Sequence, residues 1–234
     1  RIKPNDELEN KSKEEIEQIK KTNLFMEDIT KLEISNLIEI FILLSKNHSD
    51  FLIENDFIDW FICFYHQNEN FYLKYAKKII CPYATFLGDL AFYNEKIFQH
   101  PLYIQQIYDI LEHFDIYHYQ TKTSIIRLLC ILFDCAPDEI FPQLLDNQFH
   151  LIFIQYISYT DSSDRMKVLS ACLKIFRNCP SDMISDLCDS AKNDEDFIDF
   201  LEKDEPDDDN SQRFANLILG TIHQFDDDDN NDDL

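Results

Sequence analysis

Apolar residues in this chain recur at a spacing that belongs to helices. Ile125, Leu129, Leu132, Phe133 and Ala136 stand at offsets 0, 4, 7, 8 and 11, one face of an α-helix. The same five offsets return 43 residues later at Val168, Cys172, Ile175, Phe176 and Cys179, and 45 residues earlier at Ile80, Ala84, Leu87, Gly88 and Ala91. A further copy lies 46 residues before that, at Ile34, Ile38, Phe41, Ile42 and Ser45, and a last one at Phe214, Ile218, Thr221, Ile222 and Phe225. Fixed spacing of this kind is the mark of a helical array, in which each unit buries its apolar face against the next.

The helix before each copy repeats as well. Phe57, Ile58, Phe61, Ile62, Phe64 and Tyr65 map at a shift of 46 onto Tyr103, Ile104, Ile107, Tyr108, Ile110 and Leu111. Counterparts near Leu151–Ile157 and Phe197–Leu201 keep the pattern more loosely, and Pro137–Asn147 and Ser181–Ser190 fit a third, smaller helix, with Asp138 or Asp182 placed to favour its N-terminus. The pattern predicts an all-α, right-handed α-solenoid of four to five units of 43–46 residues over 24–225. A charged helical cap or flexible arm is expected at 1–23 and a disordered acidic tail at 226–234. Pro82, inside one copy, is expected to kink that helix or to start a shorter one.

The stretch Ala84-Thr85-Phe86-Leu87-Gly88-Asp89-Leu90-Ala91 resembles the third helix of an armadillo repeat, whose pattern is roughly A-x-x-x-L-G-N-[IL]-A. The unit length suits armadillo and HEAT arrays, and Pro137 and Pro180 fit the break between units. The resemblance extends over residues 30–225 and implies a concave face lined by the third helices. In importin-alpha-type arrays that face carries a tryptophan and, four residues later, an asparagine. The equivalent pairs here are Glu39/Leu43, Thr85/Asp89, Cys130/Asp134, Leu173/Arg177 and Leu219/His223, none of them Trp-Asn. Trp60 falls on the preceding helix, in a packing role. The resemblance thus implies that Thr85, Asp89, Cys130, Asp134, Leu173 and Arg177 face a partner, with the two aspartates able to attract a basic one.

Composition narrows the function. The two glycines, Gly88 and Gly220, are too far apart for a dinucleotide fingerprint or a phosphate-cradling loop, and too few for hairpin-rich β structure. A formal net charge of −24 disfavours nucleic acid and anionic lipid and favours basic protein segments. Cys63, Cys81, Cys130, Cys135, Cys172, Cys179 and Cys188 form no C-x-x-C and read as buried thiols of a reducing compartment, cytoplasmic or nuclear. No apolar run approaches a membrane span, so no insertion is expected. The chain starts at Arg1 and not at Met, which suits a portion of a longer array or a processed chain.

Catalytic and metal chemistry find little footing. His48, His66, His100, His113 and His118 are scattered, Cys130 and Cys135 sit among apolar neighbours, and Asp204–Asp209 lacks the glycine and terminal glutamate of a calcium loop. The expectation is a non-enzymatic scaffold or adaptor without cofactor or metal, binding a protein or peptide segment along the concave face. The alternatives are a nuclear transport adaptor for basic cargo and a structural segment of a larger helical-repeat protein.

Overall fold

The structure, a computed structural model, describes residues 13–55, 59, 74–157, 164–202 and 209–229. Among them are ten α-helices, two short 3-10 helices and no strand. The α-helices are α1 (Lys13–Glu54), α2 (Ala76–Tyr93), α3 (Tyr103–Leu111), α4 (Tyr119–Cys135), α5 (Phe141–Asp146), α6 (Phe149–Gln155), α7 (Arg165–Asn178), α8 (Ile184–Lys192), α9 (Glu195–Glu202) and α10 (Asp209–Asp229). The five copies of the apolar spacing fall on long helices, α1, α2, α4, α7 and α10 in turn, with Ala136 and Cys179, the last members of two copies, just past the ends of α4 and α7. These helices pack in chain order, α1 on α2, α2 on α4, α4 on α7 and α7 on α10. Burial follows the spacing closely, with Ile38, Ile80, Leu87, Ile125, Leu129, Leu132, Phe133, Cys172, Ile175 and Ile218 fully inaccessible to water.

Breaks after the long helices are backbone events. Proline disfavours the helical region for the residue before it, and Ala136 (ψ 134°) and Cys179 (ψ 129°), which precede Pro137 and Pro180, are extended. Asn94 does the same work without proline: its backbone is extended at φ −154°, ψ 102°, and its side chain accepts a hydrogen bond from the Lys96 amide to start the next 3-10 turn. His48, 46 residues earlier, leaves helical geometry at φ −137°, ψ 31° and kinks α1. Pro82 does not break α2, which runs through it from Ala76 to Tyr93. Pro82 denies only the Lys78 carbonyl its partner, and buried neighbours on both sides, Ile79, Ile80, Tyr83 and Ala84, hold the helix in place.

Short helices fill the space between the long ones. The equivalents of the expected third helix are α5 and α8, but neither Asp138 nor Asp182 occupies an N-cap; those positions are Ile140 and Met183. On α3, Tyr103, Ile104, Ile107, Ile110 and Leu111 are buried while Tyr108 is exposed; their expected counterparts at 57–65, with Trp60, lie outside the described residues. The boundaries expected at 23/24 and 225/226 fall inside α1 and α10.

Polar side chains tie together helices that are distant in the chain. Lys174 Nζ on α7 donates to the carbonyls of Asp134 (3.0 Å) and Ala136 (2.7 Å), the C-terminal end of α4, and lies over the Phe141 ring. Buried Arg165 donates to the carbonyls of Phe200 and Leu201 at the end of α9 and stacks on the Phe200 ring. Both cations meet carbonyls that a helix end leaves without intrahelical donors, where the helix dipole is negative.

Candidate functional site

Side chains of three successive long helices enclose a groove of about 330 Å³. Its floor is apolar, formed by Ala84 of α2, Leu128, Cys130 and Ile131 of α4, and Val168 of α7. Its rim is polar: Thr85 and Asp89 from α2, Ser124 and Arg127 from α4, Asp164 and Lys167 at the start of α7. Equivalent positions recur along it, since Thr85 and Cys130 share one offset and Ser124 and Lys167 another. A second depression adjoins it, sharing Ser124 and Arg127 and continuing to Lys77, Cys81 and Tyr119.

Three charged groups organise the rim. Arg127 Nε lies 2.9 Å from Asp164 Oδ2, and Lys167 Nζ lies 3.5 Å from Asp164 Oδ1, so one carboxylate is shared by two cations. Asp164 is the N-cap residue of α7, where the helix dipole also favours negative charge. Across the groove, Asp89 is half-buried; loss of water raises its pKa, opposed by Lys46 and by a hydrogen bond from Ser45. Burial, reinforced by the carboxylates of Asp134 and Asp164, pushes the Cys130 thiol up to about 12. A thiol held protonated at neutral pH is a small apolar floor group and a poor nucleophile.

The six residues expected to face a partner divide. Thr85, Asp89 and Cys130 come together in the groove. Asp134 is exposed, and its carboxylate accepts a hydrogen bond from Ser170 at 3.2 Å, while Leu173 is buried and Arg177 is exposed near the end of α7. Asp134 does not line the groove, whose rim holds Arg127 and Lys167 beside Asp89 and Asp164. These cations and Asp164 were not singled out from the sequence, because they lie at offsets other than the one the Trp-Asn comparison selects. His150, which no sequence motif marks, is buried, its Nδ1 has no hydrogen-bond partner, and burial lowers its pKa to about 4.

Other candidate groups stay apart. His118 is exposed at the N-cap of α4, and His113 Nδ1 lies 3.4 Å from the Asp109 carbonyl oxygen. Among the described residues no three His, Cys, Asp or Glu side chains converge as a metal site would require, and no helix is long and apolar enough to cross a membrane. Comparison with known proteins finds no family model, no curated protein and no solved structure that matches this chain.

Proposed function

We propose that this protein is a non-enzymatic scaffold of armadillo-like helical repeats that binds a segment of a partner protein along the groove over α2, α4 and α7. One observation carries the reading: residues at equivalent positions of successive units, Thr85 with Cys130 and Ser124 with Lys167, line a single depression. An array that stacks like units in one direction presents such a track as a by-product of its packing, and a segment laid along it meets the same kind of position in each unit. An apolar floor with a polar rim supplies an anchor and an orientation.

The proposal is tested by affinity capture with the full chain, run beside a Thr85→Trp variant whose exposed new side chain fills the groove. A partner held by the parent chain and lost by the variant supports the scaffold reading; partners retained equally by both overturn it. A second reading, a portion of a longer helical stack, is favoured by α1. Leu32, Ile40 and Leu43, on one side of α1 before the His48 kink, are each more than half exposed, apolar side chains that a capping repeat would replace with polar residues.

A further inference from the structure

Among the described residues the long helices form a row in chain order, with α1 at one end and α10 at the other. Inside the row a helix reaches back to the one before it from a recurring position, six residues after the start of the apolar spacing. Phe86 of α2 meets the Phe41 ring of α1 with centroids 5.7 Å apart. Ile131 of α4 lies over Gly88 of α2, where a methyl group would come within 3.1 Å of its Cδ1, and Lys174 of α7 binds the end of α4. The same position on α1 is Ile40. It is 51% exposed, and Leu32 and Leu43 on the same side are more exposed still. The group that packs backward elsewhere in the row thus faces solvent at its first helix.

The other end of the row carries the matching features. Gly220 lies on the outer face of α10 with nothing within 4 Å of where a methyl group would stand, and Leu217 beside it is exposed. Gln212, Arg213, Asn216 and Leu217 line a depression on that face. Between Asn210 and Gln224 the chain holds no acidic residue and one cation, Arg213, in a protein with 45 acids. The exposed charges of α1 between Leu32 and Asn47 are Glu33, Glu39 and Lys46, of which Lys46 lies near Asp89 of α2. An acidic surplus on one end therefore meets a lone cation on the other.

We propose that the two ends are each other's partner: α1 of one copy docks on α10 of a second copy, head to tail, with Ile40 on Gly220 and Glu33 beside Arg213. Spacing favours this pairing. Glu33 and Ile40 are seven residues apart, as are Arg213 and Gly220, two helical turns or roughly 10.5 Å in each case, so a parallel approach makes both contacts at once. The Ile40–Gly220 contact repeats between copies what Ile131 and Gly88 make within one. The two faces differ, so each added copy leaves a free α1 at one end and a free α10 at the other, and association is open-ended. It does not depend on what the groove binds.

Sedimentation velocity of the full chain over a concentration series at physiological salt is the test. The weight-average mass should climb past that of a dimer as concentration rises. Ile40→Asp spoils only the α1 end and Gly220→Trp fills only the α10 face, so each variant alone should stay monomeric. Both positions are exposed, and circular dichroism verifies that the variants fold. An equal mixture of the two should form a heterodimer and stop there, because each retains the end the other has lost. Arg213→Glu should weaken association about tenfold, and adding Glu33→Arg to the same chain should restore it. A monomer up to millimolar concentration would overturn the proposal and leave the α1 face to a different protein. A dimer that grows no further, or a variant mixture that stays monomeric, would overturn it in favour of like ends pairing. Failure of the charge swap to restore association would overturn the register. None of these results bears on groove binding, which affinity capture tests separately.

Discussion

His150 lends itself to a quantitative prediction. Its side chain is 4% exposed at the start of α6, between Phe149 and Phe153, which are fully buried, and its Nδ1 has no partner. Burial lowers its pKa to about 4, from an ordinary value of about 6.5. The folded protein therefore holds the ring neutral while the unfolded chain takes up a proton below that ordinary value. Stability linked to this group is complete above about pH 6.5 and is lost as the pH falls toward 4. The shift corresponds to about 3 kcal/mol at saturation, of which about 2 kcal/mol is lost between pH 7 and pH 5. Replacing His150 by Leu, of similar volume, removes the titration and the unpartnered nitrogen together. Urea unfolding followed by far-ultraviolet circular dichroism, for both proteins across this pH range, isolates the site because the carboxylates are common to both. The variant should lose less stability on acidification by about the same 2 kcal/mol. Parallel pH profiles would refute the reasoning and mean that the imidazole is solvated or partnered in the folded state.

Further outcomes follow from packing and backbone. Truncating Leu132, fully buried and equivalent to Leu87 and Ile175, to Ala should cost about 2–5 kcal/mol in denaturant unfolding; an unchanged midpoint would break the repeat register. Gly220→Ala should stabilise by about 0.5–1 kcal/mol, because Gly220 sits in the interior of α10 with nothing within 4 Å of a new methyl group. Gly88→Ala should gain less than that, since its methyl would meet Ile131 Cδ1 at 3.1 Å, and Gly88→Leu should be clearly destabilising, all three read as shifts of the denaturant midpoint. Arg165→Met should destabilise by about 2–4 kcal/mol through unsatisfied carbonyls at the end of α9, with Arg165→Lys recovering only part of the loss because the ammonium lacks the guanidinium fork. Cys130 should react with a thiol reagent at neutral pH far more slowly than a free cysteine, read by mass spectrometry on the folded chain.

Helix identity, the buried face of the described long-helix segments and the breaks at Pro137 and Pro180 were legible in the sequence. The physical reason is locality: an 0, 4, 7, 8, 11 spacing acts within one helix, and Pro137 and Pro180 act on the residue beside them, so no distant contact is needed to read either. Asn94 and His48 break the chain without proline, and only the structure shows them doing it. Pro82 went the other way. A strong local signal lost to the burial of its neighbours, because one missing hydrogen bond weighs less than the packed face of α2.

The candidate site was half legible. Offset alone selected Thr85, Asp89 and Cys130, because equivalent positions on packed helices share a surface. It could not separate Cys130, on the groove floor, from Leu173, buried away from it, since both occupy the same offset and only the local fit of neighbouring helices distinguishes them. Nor could it assign the cations. Arg127, Lys167, Lys174 and Arg165 look alike in a charge count, yet the first two share a rim carboxylate and the others staple helix ends. Lys167 reaches Asp164 three residues before it, but for Arg127, Lys174 and Arg165 the role depends on carboxylates and carbonyls about 35–40 residues distant in the chain, brought within 3.5 Å only when the helices pack. Net charge is a property of the composition, but the charge felt inside a groove is set by the few groups within a screening length, and those are chosen by tertiary structure.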